Sequence, residues 1–420
     1  MSSDKASRWL MTDTRPAVPF VDRLHVSGFR SIADCDVTFG PLTVLIGRNA
    51  SGKSNLLDAL RFLRDCVERR PLHAVTTRGG ADVLFHHTSN AETSDTLSIE
   101  VHLSLHTSDG DHPSVHPVRV TYGFRLARDA DRIRQLVAVE SEWLEVTGPD
   151  AEGGAPRGFR REGDTVTALD DGSTSGPVMS TDLWLGNAAV TDATFAGVLH
   201  ALSSLTLYAP DPAQIAKPQR PAPGDVLLPD ASNLGQILGA LAATRPEVKQ
   251  RVDDYLSAIV PGALGIDEQP LDAYSSVQLR MRDADTDSVI RFGGDQLSYG
   301  TLRVAGLLAA LFQPDALDGW TSLVCVDEPE LGLHPAAAGV VFDALTEATQ
   351  HVQVIVATQS GDLLDRDEFD PDWVRTVAVV DGATLIEPVG DVARRVLGKG
   401  LDTIGGLMRG DQLTPGDVQP

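Results

Sequence analysis

The sequence predicts an α/β fold whose largely parallel core is split by a long insertion and flanked by an antiparallel β region. Three observations predict it. The runs LTVLI (42–46), LVCV (323–326) and VQVIVA (352–357) are apolar nearly throughout, as in strands buried on both faces. A glycine-rich or proline-bearing loop and then a helical pattern follow the first two runs. Between those two runs, residues 96–170 alternate apolar and polar, the pattern of half-buried antiparallel strands.

In chain order, residues 1–19 are expected as a flexible tail. From Val21 to Gly47 the chain reads as two or three strands. Leu56, Leu60, Leu63 and Val67 then recur at helical spacing, and Pro71 is expected to close that helix. TLSIEVHLSL, VRVTYGFRL and LVAVESEWLEVTG, separated by DGDHPS and PDAEGGAPRG, predict a meander. Residues 180–262 turn helical, interrupted by a proline-rich loop at 209–229. A hairpin near 276–292 precedes LSYGTLRVAGLLAALF, a loop and an apolar helix. Strand 322–326, a helix over 335–349, strand 352–357 and a hairpin around VAVVDGATLIEPV complete the core. The expected divisions are a tail at 1–19, an N-terminal core part at 20–175, an inserted helical lobe at 176–290, a C-terminal core part at 291–390 and a tail at 391–420.

Composition excludes several classes. A net charge of −24 argues against a protein that coats nucleic acid through a cationic face, although a local basic groove remains compatible with it. Cys35, Cys66 and Cys325 have neither disulfide nor zinc spacing. The N-terminus carries no apolar signal region, and the longest apolar run, AGLLAALF, is far too short to span a bilayer. A cytoplasmic protein with no membrane partner is expected.

Only five lysines occur among 35 basic residues, and one of them lies in GRNASGKS, Gly47 to Ser54. This fits G-x-x-x-x-G-K-[ST] with an apolar strand before it and a helix after it. The loop residues Gly47, Arg48, Asn49, Ala50, Ser51, Gly52, Lys53, Ser54 and Asn55 are therefore expected to bind ATP. Their N–H groups would form an anion nest at a helix N-terminus. Lys53 would reach the β- and γ-phosphates, and Ser54 would offer its hydroxyl to Mg²⁺. LVCVDE ends a buried strand in two acids, which are costly to bury unpaired and so call for a cation. After a P-loop this fits a Walker B segment, with Asp327 on the metal and Glu328 on the attacking water. LSYGT puts Ser298 and Gly300 at the start of a helix, a second anion site. VATQSGD puts Gln359 at the end of the next strand, where it can orient the water.

These four segments in this order resemble the ABC-type ATPases of the SMC and RecF group. More closely, they resemble bacterial AAA family ATPases related to the OLD proteins. The likeness spans most of residues 21–385, including VSGFRSIADCDVTFGPLTVLIGRNASGKSNLLDALRFL, RGGADVLF, SNLGQILGAL and VDEPELGLHP. It implies a P-loop ABC-type core with an antiparallel β flank and an inserted helical lobe. It also implies a homodimer closing around two ATP molecules, with Ser298 and Gly300 acting on the partner's nucleotide. The turn from Gly332 to His334 would be the D-loop at that interface, with His334 coupling the two sites. Tyr299 stands at the variable signature position, Gln359 replaces the switch histidine, and no glutamine lies between Ser54 and Glu100. About sixty residues follow Gln359, fewer than a Toprim nuclease needs, so none is expected.

The function the resemblance implies is ATP hydrolysis in DNA repair or maintenance. The alternatives are a nucleotide-gated sensor of an anti-phage system with a separate effector, or the ATPase subunit of a transporter. Lesser signals read more simply. His86, His87, His102, His106, His112 and His116 lack metal-ligand spacing. DADTDS lacks the glycine and glutamate of an EF-hand loop and reads as a solvated turn. Arg61, Arg64, Arg69, Arg70, Arg157, Arg160 and Arg161 are candidates for a DNA groove, although Arg64 and Glu68 have helix-pair spacing.

Overall fold

A computed structural model describes residues 20–87, 94–108, 115–128, 137–148, 156–221, 226–283, 288–366, 369–413 and 415–416. The tail expected at 1–19, the middle of DADTDS (284–287) and His112 lie outside the described residues. β1 (Phe20–Phe29) and β2 (Ile32–Thr38) pair as a hairpin, and β3 (Leu42–Ile46) enters the glycine-rich loop before α1 (Lys53–Glu68). Pro71 does not merely close α1; it opens α2 (Pro71–Thr76). Proline suits a first helical position, where its missing N–H would have had no intrahelical partner. After α3 (Ala81–Leu84) comes the meander, β4 (Thr96–Ser108), β5 (Val115–Arg128), β6 (Val137–Thr147), β7 (Arg157–Glu162), β8 (Thr165–Ala168) and β9 (Thr174–Ser175). Together with β1 and β2 it forms an antiparallel sheet in the order β2-β1-β4-β5-β6-β7-β8-β9.

The next segment is α4 (Leu185–Thr191), α5 (Ala193–Ser203), β10 (Leu205–Tyr208), α6 (Pro212–Ile215), α7 (Leu234–Thr244) and α8 (Pro246–Ile259). A small sheet of β11 (Ala263–Leu271), β12 (Tyr274–Arg282) and β13 (Val289–Gly293) follows, one strand more than the expected hairpin. Then come α9 (Tyr299–Phe312), α10 (Pro314–Leu317), β14 (Leu323–Asp327), α11 (Ala338–Ala348), β15 (Gln353–Thr358) and α12 (Gly361–Leu364). β16 (Val374–Val380), β17 (Ala383–Pro388), α13 (Asp391–Gly398) and α14 (Ile404–Arg409) end the described chain.

The core sheet runs β10-β14-β15-β3-β16-β17, parallel except for β17. β10 was not expected. It comes from the segment read as a helical insertion and pairs with β14 from Leu205↔Leu323 to Tyr208↔Val326. Four residues between helices are too few to show a period of two.

The apolar strands are buried on both faces for a visible reason. Leu45, Leu323, Cys325, Ile355 and Ala357 belong to one apolar layer, which also holds the inner face of α1 and the antiparallel sheet. Their neighbours Val44, Ile46, Val324, Val326, Val354 and Val356 belong to the other, with α7, α8, α9 and α11. Each such Val, Leu or Ile side chain contributes about 1.5–3 kcal/mol on burial. Among the described residues no helix is long and apolar enough to cross a membrane.

One ionic cluster ties the meander to the helical segment. Glu142 and Arg161 are both fully buried, 3.8 Å apart. Glu142 accepts hydrogen bonds from the Tyr122 hydroxyl (3.1 Å) and from the N–H groups of Trp184 and Leu185. Arg161 donates to the carbonyls of Gly163, Met179 and Asp182. It is therefore a structural strut and no part of a DNA groove. Arg64, largely buried, likewise bonds Leu205 O and pairs with Asp65 and Glu68, and Arg157 pairs with Asp192.

Candidate functional site

β3, β14 and β15 are neighbours in the parallel sheet, with Ile46↔Thr358 and Asp327↔Ala357 in register. Their carboxyl ends therefore open at one edge, the usual place for a ligand in an open α/β sheet. The glycine-rich loop, Asp327, Glu328 and Gln359 all project from that edge.

The loop turns into α1 at Gly52, whose φ of +107° suits glycine. A Cβ there would also lie 2.1 Å from Thr384 Oγ1. The N-terminus of α1 has no side-chain cap, so its first N–H groups face the loop. Lys53 is buried and donates from Nζ to Gly47 O at 2.7 Å and Arg48 O at 2.9 Å. Burial lowers its pKa, opposed by the charges of Asp327, Glu328 and Glu330. Ser54 Oγ donates to Asp327 Oδ2 at 2.7 Å. Arg48, Asn49 and Ala50 are exposed at the rim, and Arg48 pairs with Asp411.

Residues that no local pattern marks hold the loop from below. Asn55 Nδ2 donates to Ser31 Oγ (2.6 Å), which meets Thr384 Oγ1 at 2.7 Å. Thr384 Oγ1 in turn donates to Ser51 O at 3.1 Å. Ser31 and Thr384 lie in ordinary turn and strand sequence, and only the pairing of distant segments brings them here.

The DEPE turn differs from the expectation that two acids end a strand in burial. Asp327 is exposed and Glu328 half-buried, because β14 stops where the sheet edge opens. Glu328 has φ +50°, a strained value for glutamate, held by its N–H donating to Ala357 O at 2.8 Å. Gln359 Nε2 donates to Glu328 Oε1. The acid withdrawn from water is Glu330, which accepts from Thr358 Oγ1 at 2.6 Å.

Ser298 caps α9, accepting from Thr301 N at 3.1 Å. Gly300 lies against the Gly332 turn of the same chain, where a Cβ would stand 2.3 Å from Gly332 O. The structure thus brings Gly300 to the first residue of the Gly332–His334 turn. His334 is exposed and accepts from Ala336 N at 3.2 Å.

The donor set suits a magnesium nucleotide. A hydroxyl and a carboxylate adjoin at Ser54 and Asp327, and Mg²⁺ with phosphate oxygens commonly takes one or two such protein ligands. Ser51 Oγ is buried in the loop without a hydrogen-bond partner among the described residues, a polar atom available to a ligand. Among the described residues no group of three or more His, Cys, Asp or Glu could hold a metal, and His86 bonds Arg30 O instead.

Comparison with known proteins agrees with this geometry. Residues 42–151 and 210–366, more than half of the chain, match the family model described as "AAA domain, putative AbiEii toxin, Type IV TA system". The DNA replication and repair protein RecF of Thermosynechococcus vestitus is 33% identical over 133 residues, 30% of this chain and 32% of that protein. RecF of Porphyromonas gingivalis is 49% identical over 47 residues, 11% of this chain and 13% of that protein. The chain thus spans about a third or less of the length of these curated relatives. An SMC head bound to the C-winged helix domain of ScpA superposes with TM-score 0.52 at 15% identity, covering 89% of this chain and 99% of that one. The Pyrococcus furiosus SMC head with an extended coiled coil gives 0.52 at 14% identity, covering 91% and 100%. Sheet order, the glycine-rich loop at the sheet edge and the family match converge: the chain belongs to this AAA-domain family, of the P-loop ATPase type, with an SMC/RecF-like, ABC-type fold.

Proposed function

We propose that the chain binds ATP on Gly47–Asn55 and hydrolyses it by in-line attack of a water polarised by Glu328. The observation that carries this is the convergence of two side-chain pairs, Ser54–Asp327 and Gln359–Glu328, at the ends of three adjacent parallel strands. Lys53 exchanges its two loop carbonyls for phosphate oxygens, and Gln359 orients the water against Glu328. Magnesium held by Ser54 and Asp327 would offset charge on the phosphates. Ser298 and Gly300 face a second copy's nucleotide, and His334 couples the two sites across the same interface. Tyr299 and Leu331, 68% and 49% exposed on these two turns, support burial against that copy.

The biological setting we favour is DNA repair or maintenance, supported by the similarity to RecF. A second reading, a nucleotide-gated switch working with a separate effector, is supported by the toxin–antitoxin description of the family. A Glu328→Gln variant tests the chemistry. Turnover should fall about 10²–10⁴-fold, and light scattering in ATP should show a doubled mass. Full turnover in that variant would remove Glu328 from the reaction. Stimulation of the wild type by DNA, fading with salt, favours the repair setting. A stoichiometric protein companion with no DNA effect favours the switch.

A further inference from the structure

We propose that Glu330 is a positioning residue: through Thr358 it holds the turn that presents Gln359 to Glu328. β15 ends at Thr358, which is fully buried. Thr358 Oγ1 accepts from Ser360 N at 2.9 Å and lies 2.6 Å from Glu330 Oε1. With its oxygen receiving the Ser360 proton, the hydroxyl's single hydrogen goes to the carboxylate. The relay therefore runs Ser360 N–H to Thr358 Oγ–H to Glu330. The first bond spans Gln359 and the second anchors Thr358 to Glu330, while the Gln359 amide itself donates to Glu328. The backbone on either side of Gln359 is thus tied to Glu330 through the Thr358 hydroxyl, while its side chain reaches Glu328.

The opposite wall is fixed as well. Pro329, buried, stands between the two glutamates and restricts the backbone that joins them. Glu328 N–H is tied to Ala357 O, one residue before Thr358. The DEPE turn and the end of β15 are thus cross-linked at two points, with the Gln359–Glu328 pair as a third. A carboxylate at 330 is costly there, since its Oε2 is buried with no hydrogen-bond partner among the described residues. Retaining an acid fits a task in aligning the turn, where a misplacement of about 1 Å costs about 10²-fold in rate.

The inference rests on the reading that Gln359 and Glu328 act on the attacking water. The test is a cycle of Glu330→Ala, Gln359→Ala and the double variant, with Glu330→Gln and Thr358→Val as controls. We expect Glu330→Ala to lower kcat about 10- to 100-fold with the KM for ATP nearly unchanged. Glu330→Gln, which keeps an acceptor for Thr358, should recover most of the rate. Thr358→Val should behave like Glu330→Ala, and it keeps the test alive if the alanine variant does not fold. The double variant should be no slower than Gln359→Ala alone. Without nucleotide, amide exchange at Ser360 should accelerate in Glu330→Ala and not in Glu330→Gln. Unchanged kcat in Glu330→Ala and Thr358→Val, additive losses, or unaltered exchange would overturn the inference while leaving the role of Gln359 intact. Full activity of Gln359→Ala itself would instead remove the reading on which it rests.

Discussion

Two clusters of charge sit in this molecule under opposite conditions. Around Glu142 and Arg161 the pair is entirely buried, and both Glu142 oxygens accept hydrogen bonds while Arg161 donates to three carbonyls. At the sheet edge Asp327 is exposed, Lys53 donates to loop carbonyls, and Ser51 Oγ and Glu330 Oε2 are buried without partners among the described residues. Buried charge that is fully bonded is a strut, because every desolvated group has its replacement. A hydroxyl left with spare bonding capacity inside the glycine-rich loop, as at Ser51, is a place where a ligand can supply the missing partner.

The largest effect should separate the clusters outright. Lys53→Ala should cut ATP turnover about 10²–10³-fold or more, yet leave thermal unfolding of the free protein nearly unchanged. A large fall in melting temperature would make Lys53 a strut too. Glu142→Ala should do the reverse, costing about 3–5 kcal/mol in a urea titration because it strands a buried guanidinium. In protein that stays folded, the KM for ATP should hardly move.

Acidity gives a smaller and directional test. Burial raises the Glu142 carboxyl from 4.5 to about 7, against the bonds from Trp184, Leu185 and Tyr122 and the charge of Arg161. The folded state then binds that proton more tightly than the unfolded chain. Its contribution is present in full below about pH 4.5 and is lost as pH rises through about 7. Relative to Glu142→Gln, wild-type stability should therefore decline between about pH 5 and about pH 8. A rising difference would mean that the charged pair with Arg161 dominates.

The smallest effect belongs to the rim. Arg48 and Asp411 are 81% and 65% exposed, so Asp411→Asn should change stability by less than about 1 kcal/mol. Unfolding in denaturant would measure it, and a larger loss would place the rim with the struts.

Much of this was readable along the chain because it is local. The GRNASGKS loop, the apolar strands and the alternating meander each declare themselves within a dozen residues. β10 did not, since LTLY is too short to show a period and becomes a strand only beside β14. Ser31 and Thr384 were equally silent, because a hydroxyl in a strand or turn gains a role only from what a distant segment places opposite it. The arginine set misled for the same reason. Arg161 looks like a surface cation in sequence and lies wholly inside.

The sequence by itself determined the α/β class, the loop that can receive phosphates and the acids at the end of the second core strand. Those features depend on spacing and on side chains within one turn of each other. The roles read from the sequence already put Ser54 with Asp327 on one metal and Gln359 with Glu328 on one water, and the structure pairs them directly. Tertiary structure alone decided that Asp327 stays in solvent and that Glu330 is withdrawn against Thr358. Each of those pairings joins residues set by the order of strands in the sheet, and strand order is a long-range property that no local pattern encodes.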